Sequence, residues 1–420
     1  MTRRVARIIQ GDCREVLPTL PAESVQCVVT SPPYLWLRDY GVAGQIGLEA
    51  TLEEYLATLV EVFREVRRVL RKDGVLWLNM GDIYNDPTRI RPSSHQPNLN
   101  GYVDGTWGKH AREGHIRNVI PRGENGGLKR KDLVGLPWRL AFALQADGWW
   151  LRADCIWAKP NPMPSSVLDR PTVAHEYVFL LSRSARYWYD AEAVRTEAKV
   201  QGKQASVSGW AAGDGPHDAI SHNQGERRQR QRGHERPHNG FNERWDLMTG
   251  AESQAMGANL RTVWPVATRG CSGAHFATFP EALAEICVRA GSSERGRCPA
   301  CGAAWRRLLD LSYANPGNRE TNGPRSIDNG EISAGYTVRG ERESRTLGWE
   351  PGCGCDAGDP IPCLILDPFS GSGTTGVVAL REGREYVGVE VSPEYVELSR
   401  RRIVGDAPLW NVVEVESCSR

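Results

Sequence analysis

The sequence has 420 residues and no apolar run near the roughly 18–20 residues that a bilayer span requires. Its basic opening, 1-MTRRVARIIQGD-12, passes straight into strand-like residues, without the apolar core and small-residue cleavage site of a secretory signal. Charge of one sign is also missing. The 52 Lys and Arg offset 51 Asp and Glu to leave +1, so nucleic-acid contact would have to come from local basic patches. An odd count of 11 cysteines, scattered singly apart from one cluster and without a secretory signal, argues against a disulfide framework. Together these absences predict a cytoplasmic protein with no membrane partner. What remains is 40% hydrophobic and 25% charged, the composition of a globular protein long enough for two or three domains.

Strand and helix signals alternate along the first part of the chain. The segments 5-VARII-9, 25-VQCVVT-30, 75-VLWLNMGD-82, 151-LRADCIW-157 and 174-AHEYVFLLS-182 read as strands. Residues 52–74 read as a helix, with Leu52, Leu56, Leu59, Phe63, Val66 and Leu70 at steps of three and four and Gly74 at its end. A second helix over 136–150 stops at Gly148. Alternating units of this kind predict a parallel sheet with helices on both faces. Residues 85–130 read as a long loop. Residues 200–260 are polar and Gly-rich and carry 226-ERRQRQRGHERPHNGFNERW-245. Two readings of them stay open: a solvated insert, or arginines that meet phosphates and base edges.

Two short motifs stand where strands end. In 30-TSPPY-34 the adjacent prolines stop a strand, since neither offers an N–H to a ladder. In 371-GSGTTG-376 a Gly-rich turn follows the strand at 364 and opens a helix. Glycines there let a ligand approach the backbone, and the helix start presents free N–H groups. Glu390, at the end of the next strand and about 20 residues on, suits ribose hydroxyls. The unit therefore reads as an adenosine-cofactor site, with nicotinamide and flavin dinucleotides as rivals. Asp367 at the strand end suits an ammonium better than a pyrophosphate. The βα units that a dinucleotide fold needs after Glu390 are instead at the N-terminus, like a doubly wound sheet cut open.

These motifs resemble the β-group amino-methyltransferases of DNA, the circularly permuted, S-adenosylmethionine-dependent enzymes that modify cytosine N4 or adenine N6. The resemblance covers most of residues 5–195 and 263–403 and includes Gly11-Asp12, 79-NMGD-82, 157-WAKPNPMP-164, 175-HEYVFLLS-182 and 275-HFATFPEAL-283. It implies a permuted Rossmann-like sheet with loop-rich inserts. It implies that Asp367, Phe369, Gly371 and Gly373 line the methionine side of the cofactor, that Thr374 also binds the cofactor, and that Glu390 holds the ribose. Asp12 would meet the adenine, and Thr278 and Phe279 would close over the cofactor. Ser31, Pro32, Pro33 and Tyr34 would form the catalytic loop. An exocyclic amine is a poor nucleophile, and the Ser31 hydroxyl and Pro32 carbonyl are acceptors that help it rehybridise. Tyr34 offers a face for stacking a base turned out of the duplex. Serine at the first position leans toward cytosine, with adenine the alternative. An enzyme acting on RNA or a protein amide, or a non-catalytic DNA-binding zinc protein, stands further off. Double-stranded DNA and a cognate restriction endonuclease are the implied partners.

The implied division is 1–195 catalytic, 196–262 target recognition, 263–296 with 364–420 cofactor-binding, and 297–363 a Cys-rich insert. In that insert 298-CPAC-301 and 353-CGC-355 make Cys298, Cys301, Cys353 and Cys355 a candidate structural zinc site, against four free thiols. His175 and Glu176 could sit near the base pocket or be a satisfied strand-end pair, and Lys159 could line that pocket or be a solvated charge. Trp36 and Trp107 lie in loops that could touch DNA.

Overall fold

The computed structural model describes residues 4–37, 40–42, 44–85, 127–196, 259–268, 279–314 and 341–418, with only the backbone at 310–314 and 341–345. The chain divides into two compact units, one of residues 1–194, 261–306 and 351–420, the other of 195–260 and 307–350.

The first unit is built on a nine-stranded sheet. Its strands are β1 (Arg4–Gln10), β2 (Val25–Thr30), β3 (Leu70–Met80), β4 (Trp150–Ala158), β5 (His175–Ser182), β6 (Val263–Pro265), β9 (Leu364–Asp367), β10 (Glu385–Glu390) and β11 (Asn411–Ser417). Their order is β11-β1-β10-β9-β2-β3-β5-β4-β6. The run from β11 to β3 is parallel, but β5 pairs antiparallel with both β3 and β4. The expected parallel sheet is therefore mostly parallel, with β5 as the antiparallel exception. A loop, not a helix, joins β4 to β5, so the chain returns in the opposite sense. In the second unit β7 (Arg306–Ala314) and β8 (Glu341–Glu350) form a two-stranded sheet.

Six helices occur among the described residues: α1 (Cys13–Val16), α2 (Leu52–Val69), α3 (Leu136–Ala146), α4 (Glu281–Gly291), α5 (Thr374–Arg381) and α6 (Pro393–Asp406). Thr51 and Glu54 form a capping box that starts α2. Its buried stripe of Leu52, Tyr55, Leu59, Val62, Phe63, Val66 and Val69 packs with Val28, Leu76 and Leu78 in one core layer. On the opposite sheet face, Cys27, Val75 and Trp77 crowd Gly291 of α4. The helix stops at Val69, five residues short of the expected Gly74 end. The chain turns directly into β3, whose register with β2 slips between Val25 and Cys27. Gly74 belongs to that irregular stretch, where a Cβ would lie 2.7 Å from the Leu70 side chain.

Candidate active site

The parallel strands β1, β10, β9 and β2 all end at one edge of the sheet, where ligands of open α/β folds bind. β9, late in the sequence, pairs with β2, which comes early, through Cys27–Ile365 and Val28–Leu366. That register sets the residues after Thr30 beside those after Asp367. A cavity of about 330 Å³ opens there. Ser31, Pro32, Pro33 and Tyr34 line it from one strand end; Phe369, Gly371, Thr374 and Glu390 line it from the others, with Asp12 and Phe279 also in its wall.

The glycine turn is held by hydrogen bonds on every side. Gly371 has φ +51° and Gly373 φ +76°, the left-handed region that glycine tolerates. A Cβ on Gly373 would collide with Ser399 of α6. Glu390 accepts from the Gly371 amide at 2.8 Å and the Ser392 amide at 2.9 Å. Burial pushes its carboxyl up to about 7 against those two amides. Arg402 of α6 donates to the Ser372 carbonyl at 2.7 Å, the Ser372 hydroxyl at 2.8 Å and Thr374 Oγ1 at 3.1 Å. Nothing in 400-RRR-402 marks this arginine out in the sequence.

Two residues expected at the cofactor, Asp367 and Gly373, are not among those lining the cavity. Asp367 is 1% exposed and does not line the cavity. It accepts from Thr30 Oγ1 at 2.6 Å, Thr375 Oγ1 at 2.9 Å and the Phe369 amide at 3.1 Å. Burial raises it to about 6. Its carboxylate thus ties β2, β9 and α5 together. Gly373 is likewise outside the lining, because it packs on α6. Thr278 lies outside the described residues. Asp12 caps α1 through the Arg14 amide at 2.8 Å and pairs with the Arg14 guanidinium. Burial pushes the Asp12 carboxyl up, but Arg14 more than offsets it and holds it below the usual range.

The Ser-Pro-Pro-Tyr loop is equally fixed. Tyr55 of α2 donates its hydroxyl to the Pro33 carbonyl at 2.7 Å. The Trp36 amide donates to Gly47 O at 2.8 Å. Trp36 itself is 7% exposed, with its indole N–H on Glu49 O, so it is core and not a surface contact. Trp107 lies outside the described residues. The Tyr34 hydroxyl donates to Glu176 Oε2 at 2.9 Å. Asn79 Nδ2 reaches the same oxygen at 2.8 Å, and Lys159 Nζ meets Oε1 at 2.5 Å. All four groups line the cavity. His175 does not; it is exposed, with its ring edge-on to Tyr177.

Away from this edge, the sulfurs of Cys298, Cys301, Cys353 and Cys355 lie within 4.8 Å of one another. Tetrahedral zinc with Zn–S near 2.3 Å spaces its sulfurs by about 3.8 Å, so the cluster can hold a metal. The Gly302 amide closes the turn onto Cys298 O at 2.8 Å, with Gly302 at φ +70°.

A strand-end cavity walled by a glycine turn, a strand-end acid and a proline-locked polar loop marks an α/β protein with its candidate ligand site at the strand ends. Comparison with known proteins narrows the class. The N6/N4 DNA methylase family matches residues 25–298 and 363–401. The chain is 35% identical to the Type II methyltransferase M.Cfr9I of Citrobacter freundii over 401 residues, covering 96% of this chain and 88% of that one. It is 35% identical to M.SmaI of Serratia marcescens over 401 residues, covering 96% and 91%. The solved cytosine-N4-specific PvuII DNA methyltransferase aligns with 15% identity, 99% and 96% coverage and a TM-score of 0.47. The chain belongs to the N6/N4 DNA methylase family, the enzymes that methylate exocyclic amines of DNA bases.

Proposed function

We propose that this enzyme transfers a methyl group from S-adenosylmethionine to the exocyclic N4 amine of a flipped cytosine in double-stranded DNA. The observation that carries the reading is the single cavity shared by the Ser-Pro-Pro-Tyr loop and the glycine turn. S-adenosylmethionine would supply a methyl group on a sulfonium, open to in-line displacement. The residues fit it: Glu390 offers carboxylate acceptors for ribose hydroxyls, the backbone around Gly371 permits close approach, and Phe369 gives an apolar wall. Asp12 and Phe279 also line the cavity, Asp12 to meet the adenine and Phe279 to close over the cofactor. The Ser31 hydroxyl and Pro32 carbonyl accept from the target amine and favour its tetrahedral form, preorganised by two prolines and the Tyr55 bond. Serine at position 31 favours cytosine over adenine.

Within this reading the chain is permuted, its cofactor half (263–296 and 364–420) following its catalytic half (1–195). The segment 196–262, of which 197–258 lies outside the described residues, is the candidate reader of target sequence. The 297–363 insert is closed at its base by a structural zinc on the four cysteines. The Type II names of the relatives support DNA as substrate and a restriction endonuclease as the enzyme's counterpart. The test is incubation with methyl-labelled cofactor and unmodified DNA or RNA, followed by identification of the labelled nucleoside. N4-methylcytosine in DNA is expected. N6-methyladenine alone would move the target to adenine, and label only in RNA would move the substrate class.

A further inference from the structure

Four strand ends converge behind the catalytic loop on one carboxylate. Glu176, at the start of β5, receives Tyr34 Oη from the end of β2, Asn79 Nδ2 from the end of β3 and Lys159 Nζ from just past β4. The Glu176 and Lys159 side chains are 18% and 19% exposed, too buried for an incidental surface pair. Lys159 is also held from the side, with Nζ 4.4 Å from the Trp157 ring centroid. Gly81 leaves room for the arrangement. A Cβ there would lie 2.9 Å from the Tyr34 ring and 3.2 Å from the Glu176 carboxyl. Both oxygens of Glu176 face cavity-lining groups, so the carboxylate serves the pocket and not the distant core.

We propose that Glu176 is a positioning residue of methyl transfer, acting through Tyr34 and Lys159, which it holds as one preformed surface for the target base. This rests on the proposed base-methylating reading and deepens it. As the N–C bond forms and the S–C bond breaks, positive charge passes from the sulfonium to the base, whose extra amine proton then leaves to solvent. A phenol hydroxyl donating to a carboxylate enriches its ring in electron density. The face of that ring is attractive to a base that becomes cationic. The interaction strengthens only as charge develops, so it belongs to the transition state and not to ground-state binding. Burial, and then the charge of Glu176, push the Tyr34 phenol well above its usual range, so it stays protonated and remains the donor. Lys159, fixed by Glu176 and Trp157, has further N–H donors for a ring acceptor of the base, such as the cytosine carbonyl.

The test uses the full-length enzyme and the near-isosteric Glu176→Gln, with Tyr34→Phe alone and in combination. Glu176→Gln is expected to lower kcat at least tenfold while KM for DNA and the dissociation constant for S-adenosylhomocysteine stay within about twofold. Tyr34→Phe should also lower kcat, and the double variant should be little worse than Glu176→Gln alone, because the Tyr34 hydroxyl acts only through Glu176. Unchanged kcat in Glu176→Gln, or losses that multiply in the double variant, would overturn the proposal. If Glu176→Gln lowers the thermal midpoint, Tyr34→Phe alone decides, and full kcat there is equally fatal. Failure of the wild type to methylate any DNA would instead sink the underlying reading.

Discussion

At the scale of single residues, the two acids at neighbouring strand ends divide the work. Asp367 is spent on Thr30, Thr375 and the Phe369 amide, whereas Glu390 keeps a place in the cavity wall. With its carboxyl raised to about 7, Glu390 is largely protonated below neutrality. A ribose hydroxyl needs it as an acceptor. Cofactor affinity measured by calorimetry is therefore expected to rise between pH 6 and 8, and Glu390→Gln should bind more weakly and flatten that dependence. Folding shows the opposite sign. An acid whose native pKa lies above its unfolded value binds more protons when folded, so its contribution falls as pH rises from about 4 to about 7. The thermal midpoint of ligand-free protein should decline over that window, more steeply in the wild type than in Glu390→Gln. Across the cavity, Ser31→Ala removes one preorganised acceptor and should lower turnover roughly 100-fold. Tyr34→Ala should cost at least as much, and in both variants cofactor binding should persist.

At the scale of elements, the glycine turn depends on α6 as much as on its own glycines. Gly373→Ala forces a side chain into both the left-handed region and Ser399, and should cost roughly 1–3 kcal/mol by denaturant unfolding. Cofactor affinity should fall with it. The cysteine turn makes a second element-scale prediction. Protein purified without chelator should contain one zinc per chain, and its removal should lower the thermal midpoint while leaving the cofactor site able to bind. Protein that purifies metal-free with unchanged stability would contradict the zinc assignment. Elements also show where sequence reasoning ran short. The α2 stripe was legible because periodicity declares a buried face, but its end was not, since Gly74 serves a bulge between strands and not a helix cap. β11 carries a short alternating signal, 411-NVVEVES-417, that went unread because the adenosine-site motifs had already ended. The antiparallel sense of β5 follows from how the β4–β5 loop folds back, which strand patterning does not encode.

At the scale of the molecule, the site exists because strands distant in sequence are neighbours in the sheet. The two motifs were legible singly, since prolines and glycines at strand ends punctuate sequence for physical reasons. Their meeting through the β2–β9 pairing follows from tertiary structure. For the same reason Arg402 was missed, Asn79 was legible only as part of a motif without a role, and Glu176 was only one option among several: each matters through partners far along the chain. The central claim is that the shared cavity brings a bound methyl donor to a cytosine amine held by Ser31. The most direct measurement compares wild type with Ser31→Ala, using methyl-labelled S-adenosylmethionine, unmodified DNA and mass analysis of the released nucleosides. The account predicts N4-methylcytosine from the wild type and at least a hundredfold less from Ser31→Ala with cofactor affinity retained. N6-methyladenine as the only product, or N4-methylcytosine from Ser31→Ala at an undiminished rate, would contradict it.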